Sequence, residues 1–186
     1  MDIYYIGAAV GVMWAAWCYP FLFRAARGPK RESITAPGPT VIGLLLESVA
    51  ILLAFVFHTP IGSPVAWPRL LAAGVVGMVS VVLAWRAVDH LGKQLRVTAG
   101  LYEDHELVRS GPYALVRHPI YAALLGGLIC TLLAVTRVEW IGPLLVMFII
   151  GTEIRVRTED RLLESRFGDE FRRYRQRVRA YIPFVR

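Results

Sequence analysis

Apolar residues along this chain gather into five runs, separated by segments where charge and proline concentrate. Ile3–Phe23, Thr40–His58, Arg69–Val88, Pro119–Thr136 and Val138–Ile154 each fall in the ~17–25-residue window a helix needs to cross a bilayer. The pattern predicts an all-α polytopic membrane protein with about five transmembrane helices. The tail follows a different rhythm. Leu163, Phe167, Phe171, Tyr174, Val178 and Tyr181 recur every three or four residues among arginines. That spacing predicts a C-terminal amphipathic helix at the membrane interface, interrupted at Gly168, recapped by Asp169 and ended by Pro183.

Composition agrees. Of 186 residues 56% are hydrophobic, and the mean hydropathy of +0.50 is too high for a soluble domain of this size. The opening MDIYYIGAAV has an acid where a cleavable leader would carry a basic segment, so the first run is expected to be a retained span. Cys18 and Cys130 fit no metal spacing and are expected to be buried packing residues.

Charge changes the picture by giving the spans a direction. The net charge is +7, and ten arginines lie in the last 32 residues. The segment 24–39 holds four cations, 58–68 holds none, and 89–118 holds Lys93, Arg96, Arg109 and Arg117. Positive-inside counting puts the N-terminus outside and the C-terminus in the cytoplasm. This basicity reads as orientation and headgroup contact rather than nucleic-acid binding. Residues 1–89 then form three N-terminal spans. Residues 90–186 form a second region made of a loop, a helical hairpin and the interfacial tail. The short turn between the last two spans brings Arg117–Tyr121 beside Glu153–Asp160 at one membrane depth, and a site is expected there.

Pro119 suits the first turn of the fourth span, and His118 sits at its N-cap, where helix-end N–H groups favour an anionic ligand group. Alternatively His118 merely caps and Arg117 snorkels. In the fifth span Arg155 and Glu159, like Glu153 and Arg157, are four apart and able to pair along a helix. Glu47 lies inside the second span, at a depth where an acid is either functional or paired with another span. Arg86, Asp89 and His90 share a face at the end of the third span, and Gly7 and Gly11 have a small-residue packing spacing. A Rossmann fingerprint, Walker loop, nucleophile elbow and paired-His metal motif are all absent, and no metal is expected.

LVRSGPYALVRHPIY (107–121) followed by RVRTEDRLLESRFGDEFRRYRQRVRAYIP (155–183) resembles the isoprenylcysteine carboxyl methyltransferase family over roughly residues 90–186. These are integral-membrane enzymes, related to phospholipid N-methyltransferases, that use S-adenosylmethionine. The resemblance implies a cytoplasmic cofactor site made by His105, Glu106, Leu107, Val108, Tyr113, His118, Pro119, Ile120, Tyr121 and Glu159, with Asp160 in place of the family's second glutamate. It implies that Arg155 contacts substrate and acts with Glu159 in catalysis. Glu47 is the further substrate-side candidate. Ala123 replaces a glycine often found after the RHP-x-Y motif, and a cofactor-contacting glutamine has only Thr98 or Ala99 nearby. The expected partners are the bilayer and a lipophilic acceptor entering sideways between helices, most simply a prenylated or isoprenoid-like carboxylate. The alternatives are an NADPH-dependent membrane reductase similar to the steroid reductase family, and a non-enzymatic protein keeping the same scaffold.

Overall fold

The computed structural model describes residues 3–24, 33–35, 37–95, 100–102 and 106–182. Its frame is α1 (Ile3–Tyr19), α2 (Pro37–Val56), α3 (Trp67–Leu91), α4 (Pro119–Ala134), α5 (Val138–Phe167) and α6 (Asp169–Arg177). Among the described residues three helices, Ile3–Phe23, Gly38–Val56 and Trp67–Leu91, are long and apolar enough to cross a membrane, and Pro119–Ala134 is a shorter apolar helix. The chain is thus an integral membrane protein. The all-α expectation needs one amendment. Ser33–Thr35 (β1) and Gly100–Tyr102 (β2) pair antiparallel, with Ile34 opposite Leu101.

Between lipid-facing helices there is little hydrophobic drive, so close backbone approach and interhelical hydrogen bonds must hold them. Both are present. The expected pairing of α4 with α5 is a minor one, since α4 packs chiefly on α3, and α5 on α2. Where α3 meets α4, Ala84 and Ala123 are fully buried and Ser80 Oγ donates to the Ala123 carbonyl at 2.6 Å. Where α2 meets α5, a Cβ on Gly43 would lie 2.6 Å from the Gly151 carbonyl and 2.5 Å from Arg155 Cγ, so glycine is required there. Trp14 Nε1 donates to Thr131 Oγ1 at 3.0 Å, seating α1 on α4. At the end remote from the charged clusters, Arg69 caps α4 by donating to the Leu132 and Thr136 carbonyls at 3.2 and 2.9 Å.

Three minor expectations fail. Gly7 and Gly11 face open space, with no atom near an added Cβ, so they form no packing seam within the chain. Cys130 is buried as expected, but Cys18 is exposed on α1. The tail breaks at Gly168 as expected, but Asp169 is not the cap and the helix does not run on to Pro183. Gly168, at φ +49°, ends α5 and itself occupies the N-cap of α6, while the Asp169 carboxylate pairs with Arg172. The apolar stripe turns inward, since Phe171 is fully buried and Tyr174 nearly so. After Arg177 the chain leaves the helix, and Arg179 bridges in parallel to Val116. The reason lies at the start of α4. The amides of Arg117 and His118 precede the helix and need acceptors, and they donate to the Arg179 and Ala180 carbonyls, each at 2.7 Å. Val178 and Tyr181 thus fit a helical period without being helical. Pro183 lies outside the described residues.

Candidate active site

Three elements converge at one end of the bundle: the start of α4, the middle of α5 and the returning tail. His118 is the N-cap residue of α4, yet its side chain caps nothing. Its Nε2 lies 2.9 Å from Asp160 Oδ1 and its Nδ1 3.3 Å from Glu159 Oε2. Arg117 does not snorkel either. Its Nη2 donates to Asp160 Oδ2 at 2.8 Å, and Nη1 donates to the Val178 carbonyl. Asp160 therefore has one oxygen on each of its two basic neighbours, and all three side chains are at least nine-tenths buried.

These contacts fix the electrostatics. Burial alone would raise the Asp160 carboxyl, but His118 and Arg117 outweigh it and hold the group below the usual carboxylate range. Burial would lower the His118 imidazole, and hydrogen bonds and charge from Asp160 and Glu159 hold it above its ordinary value instead. The Tyr113 phenol is pushed up by burial, with the Glu159 charge adding to it.

The second layer lies deeper. The Tyr121 hydroxyl donates to Glu159, and the Arg155 guanidinium stands 4.6 Å from the centroid of the Tyr121 ring. Arg155 reaches across to α2, where its Nη1 meets Glu47 Oε2 at 2.5 Å, and Thr152 Oγ1 donates to Glu47 Oε1 at 2.8 Å. Glu47 is thus a buried acid with both oxygens satisfied by Arg155 and Thr152 of α5. Within α5, Glu153 and Arg157 pair as expected at 3.2 Å, and Glu153 also accepts from the Tyr181 hydroxyl at 2.9 Å. In this layered cluster Glu159 keeps the most accessible carboxylate, 26% exposed, against 10% for Asp160 and 1% for Glu47.

The expected residues thus divide. His118, Pro119, Tyr121, Arg155, Glu159, Asp160 and Glu47 meet in one network, with Ile120 half-buried beside it. Tyr113 is buried on the flank, where its carbonyl accepts from the Tyr174 hydroxyl at 2.5 Å. Leu107 and Val108 are half-buried, Glu106 is exposed, and His105 lies outside the described residues, as do Arg96, Thr98 and Ala99. Arg86, Asp89 and His90 make a separate end-of-helix group, with the His90 ring against Gly111 and its Nδ1 bonded to the Arg86 carbonyl at 2.8 Å. Thr152, Tyr174 and Tyr181 were not anticipated. Thr152 had a readable signal, lying one turn before Arg155 on the same helix face. The two tyrosines had none beyond the apolar stripe.

A helical membrane protein that gathers buried carboxylates, arginines, an imidazole and a tyrosine at one end of its bundle has the makings of a membrane-embedded enzyme site. Sequence comparison supplies the rest. A profile of the isoprenylcysteine carboxyl methyltransferase family matches residues 73–165, and the chain belongs to that family. Among curated relatives, a cobalt-zinc-cadmium resistance protein of Cupriavidus metallidurans is 37% identical over 123 residues, which is 62% of this chain and 50% of the relative. The protein-S-isoprenylcysteine O-methyltransferase of Schizosaccharomyces pombe is 36% identical over 93 residues, 45% of this chain and 35% of the relative. A nickel-cobalt-cadmium resistance protein of Alcaligenes xylosoxydans is 27% identical over 164 residues, covering 82% of this chain and 72% of the relative. The chain spans half or less of the length of the first two of these relatives.

Proposed function

We propose that this chain is an integral-membrane methyltransferase that moves a methyl group from S-adenosylmethionine to a lipophilic acceptor, with the carboxylate of a prenylated or isoprenoid-like lipid favoured. The observation that carries the reading is the convergence of the two family motifs: His118 and Tyr121 from the first bond directly to Glu159 and Asp160 from the second. Five spans, a cytoplasmic site and a cytoplasmic C-terminus complete the proposal. Residues 1–89 form the frame, and 90–186 form the cofactor-bearing region.

The residues suit the cofactor. S-adenosylmethionine presents a cationic sulfonium and ammonium, and supplies a methyl group already activated for displacement. Glu159 keeps a partly exposed carboxylate edge for a cation, and the adjacent Tyr121 adds an aromatic face. His118 and Tyr121 hold the Glu159 carboxylate in place, so it needs little rearrangement to receive charge. Glu106, Leu107, Val108, Tyr113, Pro119 and Ile120 would form the surrounding wall, with His105.

Arg155 would orient the acceptor. Glu47 and Thr152 set the direction of its guanidinium from behind, and Tyr121 covers it. A carboxylate oxygen is itself the nucleophile, so no proton has to be removed, and alignment and exclusion of water supply the acceleration. Were the acceptor an amine or hydroxyl, a base would be needed. Asp160 is poorly suited, because its partners hold it below the usual range. Glu159 and His118 remain.

The test is transfer of labelled methyl from S-adenosylmethionine to a farnesyl-cysteine analogue by the full chain in proteoliposomes. Base-labile label in the lipid fraction, lost in Glu159→Ala and Arg155→Ala, is the expected result. Label on an amine lipid alone would overturn the carboxylate assignment.

A further inference from the structure

On the side of Asp160 away from His118 lies a cavity of about 380 Å³ lined by Arg117, Arg157, Arg161, Arg175 and Arg179, with Asp160 in its wall. At ~100° per residue, Arg157 and Arg161 project from the flank of α5 opposite Arg155 and Glu159, so this space opens on the other flank of α5 and shares only Arg117 and Asp160 with the cluster described above. Of the motif residues assigned to cofactor or acceptor it includes only Asp160, whose carboxylate is already held by Arg117 and His118.

Its charge is unbalanced. Asp160 is committed to Arg117 and His118. Arg157 is answered by Glu153 at 3.2 Å and Arg175 by Glu164 at 3.1 Å, and Glu164 is shared with Arg172 at 3.5 Å. Even counting those acids in full, five arginines against Asp160, Glu153 and Glu164 leave a surplus of two positive charges. Arg161 and Arg179 make no ion pair among the described residues. Arg117 keeps a buried Nε with no hydrogen-bond partner among them. A cluster of like charges held around a concave space is costly without a counter-charge. Planar guanidinium forks bind phosphate bidentately, and the several oxygens of a phosphate can engage more than one fork at once. The cavity is at the small end of ligand pockets (~300–1,000 Å³), the right scale for a headgroup fragment.

We propose that this arginine-lined cavity binds a phosphate group. Two sources have that chemistry: the headgroup of an anionic phospholipid and a free phosphate anion. The position of the cavity, on the charged extension of a membrane helix and beside the returning tail, suits either. The inference does not depend on the methyl-transfer reading, since its test involves no turnover.

The experiment uses the full chain in neutral detergent. One arm adds phosphatidylglycerol or phosphatidylcholine and counts retained lipid by native mass spectrometry. The other titrates inorganic phosphate calorimetrically. Arg161→Gln and Arg179→Gln should each weaken phosphatidylglycerol or phosphate binding about fivefold, and about twenty-five-fold together, with weakening as salt rises. Because both side chains are exposed, the variants should fold, and Arg161→Lys/Arg179→Lys, which keeps the charge, provides a milder second test. Arginine-dependent retention of phosphatidylglycerol but not phosphatidylcholine supports the headgroup source. Arginine-dependent phosphate binding without lipid selectivity supports the free anion. Binding of neither, or binding unchanged in the double variant, overturns the proposal.

Discussion

Removing the Glu47 carboxylate tests the interior of the site most sharply. In Glu47→Leu the Arg155 guanidinium, 8% exposed, keeps its charge but loses an acceptor at 2.5 Å, while Thr152 loses its own at 2.8 Å. Breaking a buried pair from one side costs about 3–5 kcal/mol, because the remaining charge is left uncompensated. For a chain of 150–250 residues each kcal/mol moves the midpoint by about 2–4 °C, so thermal unfolding in mild detergent should shift down by roughly 6–20 °C. The logic has a second half. Arg155→Met in the same background removes the buried charge that lost this acceptor, so the double variant should be more stable than Glu47→Leu alone, with a coupling of at least about 2 kcal/mol in a double-mutant cycle. A shift under about 2 °C for Glu47→Leu, or strictly additive costs, would refute the claim that these two residues form one buried unit.

Three further outcomes follow from the geometry. Wild type and Asp160→Asn should differ most in stability in the window between pH ~4 and ~6.5. The lowered Asp160 value gives stability that is present above its ordinary range and fades as pH falls, and the raised His118 value gives stability that fades as pH rises through it. A pH-independent difference between pH 3 and 9 would contradict this. Gly43→Ala should destabilise by about 1–3 kcal/mol, since its Cβ meets Arg155 and the Gly151 carbonyl, whereas Gly7→Ala, in open space, should be neutral or slightly stabilising; a melt of each checks the contrast. Phe171→Ala should cost about 3–5 kcal/mol and speed hydrogen exchange at the Arg117 and His118 amides, because α6 carries the tail that covers them.

How far the sequence reaches is best seen at particular residues. The helical frame was readable because long apolar runs leave a chain few alternatives in lipid, and the RHP corner was readable because its motif and Pro119 locate the helix start. Glu47 announced that it needed a partner, but not which one. Its partner lies on α5, and which helices become neighbours depends on glycine contacts such as Gly43 with Gly151 that carry no periodic signal. The i, i+4 rule set Glu159 near Arg155, but it carried no sign that packing against α2 would bring Glu47 to the same guanidinium. At Val178 and Tyr181 the three-to-four spacing continued past the true helix end, because the unpaired Arg117 and His118 amides draw the chain into a bridge that spacing alone cannot reveal. The ribbon of Ser33–Thr35 with Gly100–Tyr102 joins two short segments far apart in sequence, too short for any alternation to register.

The central claim is that the Glu159 cluster holds S-adenosylmethionine. The most direct measurement is calorimetric titration of S-adenosylmethionine into the detergent-purified full chain, with NADPH titrated in parallel, for wild type and Glu159→Ala. Micromolar binding of S-adenosylmethionine that disappears in folded Glu159→Ala, with no heat from NADPH, is the predicted result. Binding of NADPH in its place, or of neither by folded wild-type protein, would contradict the account.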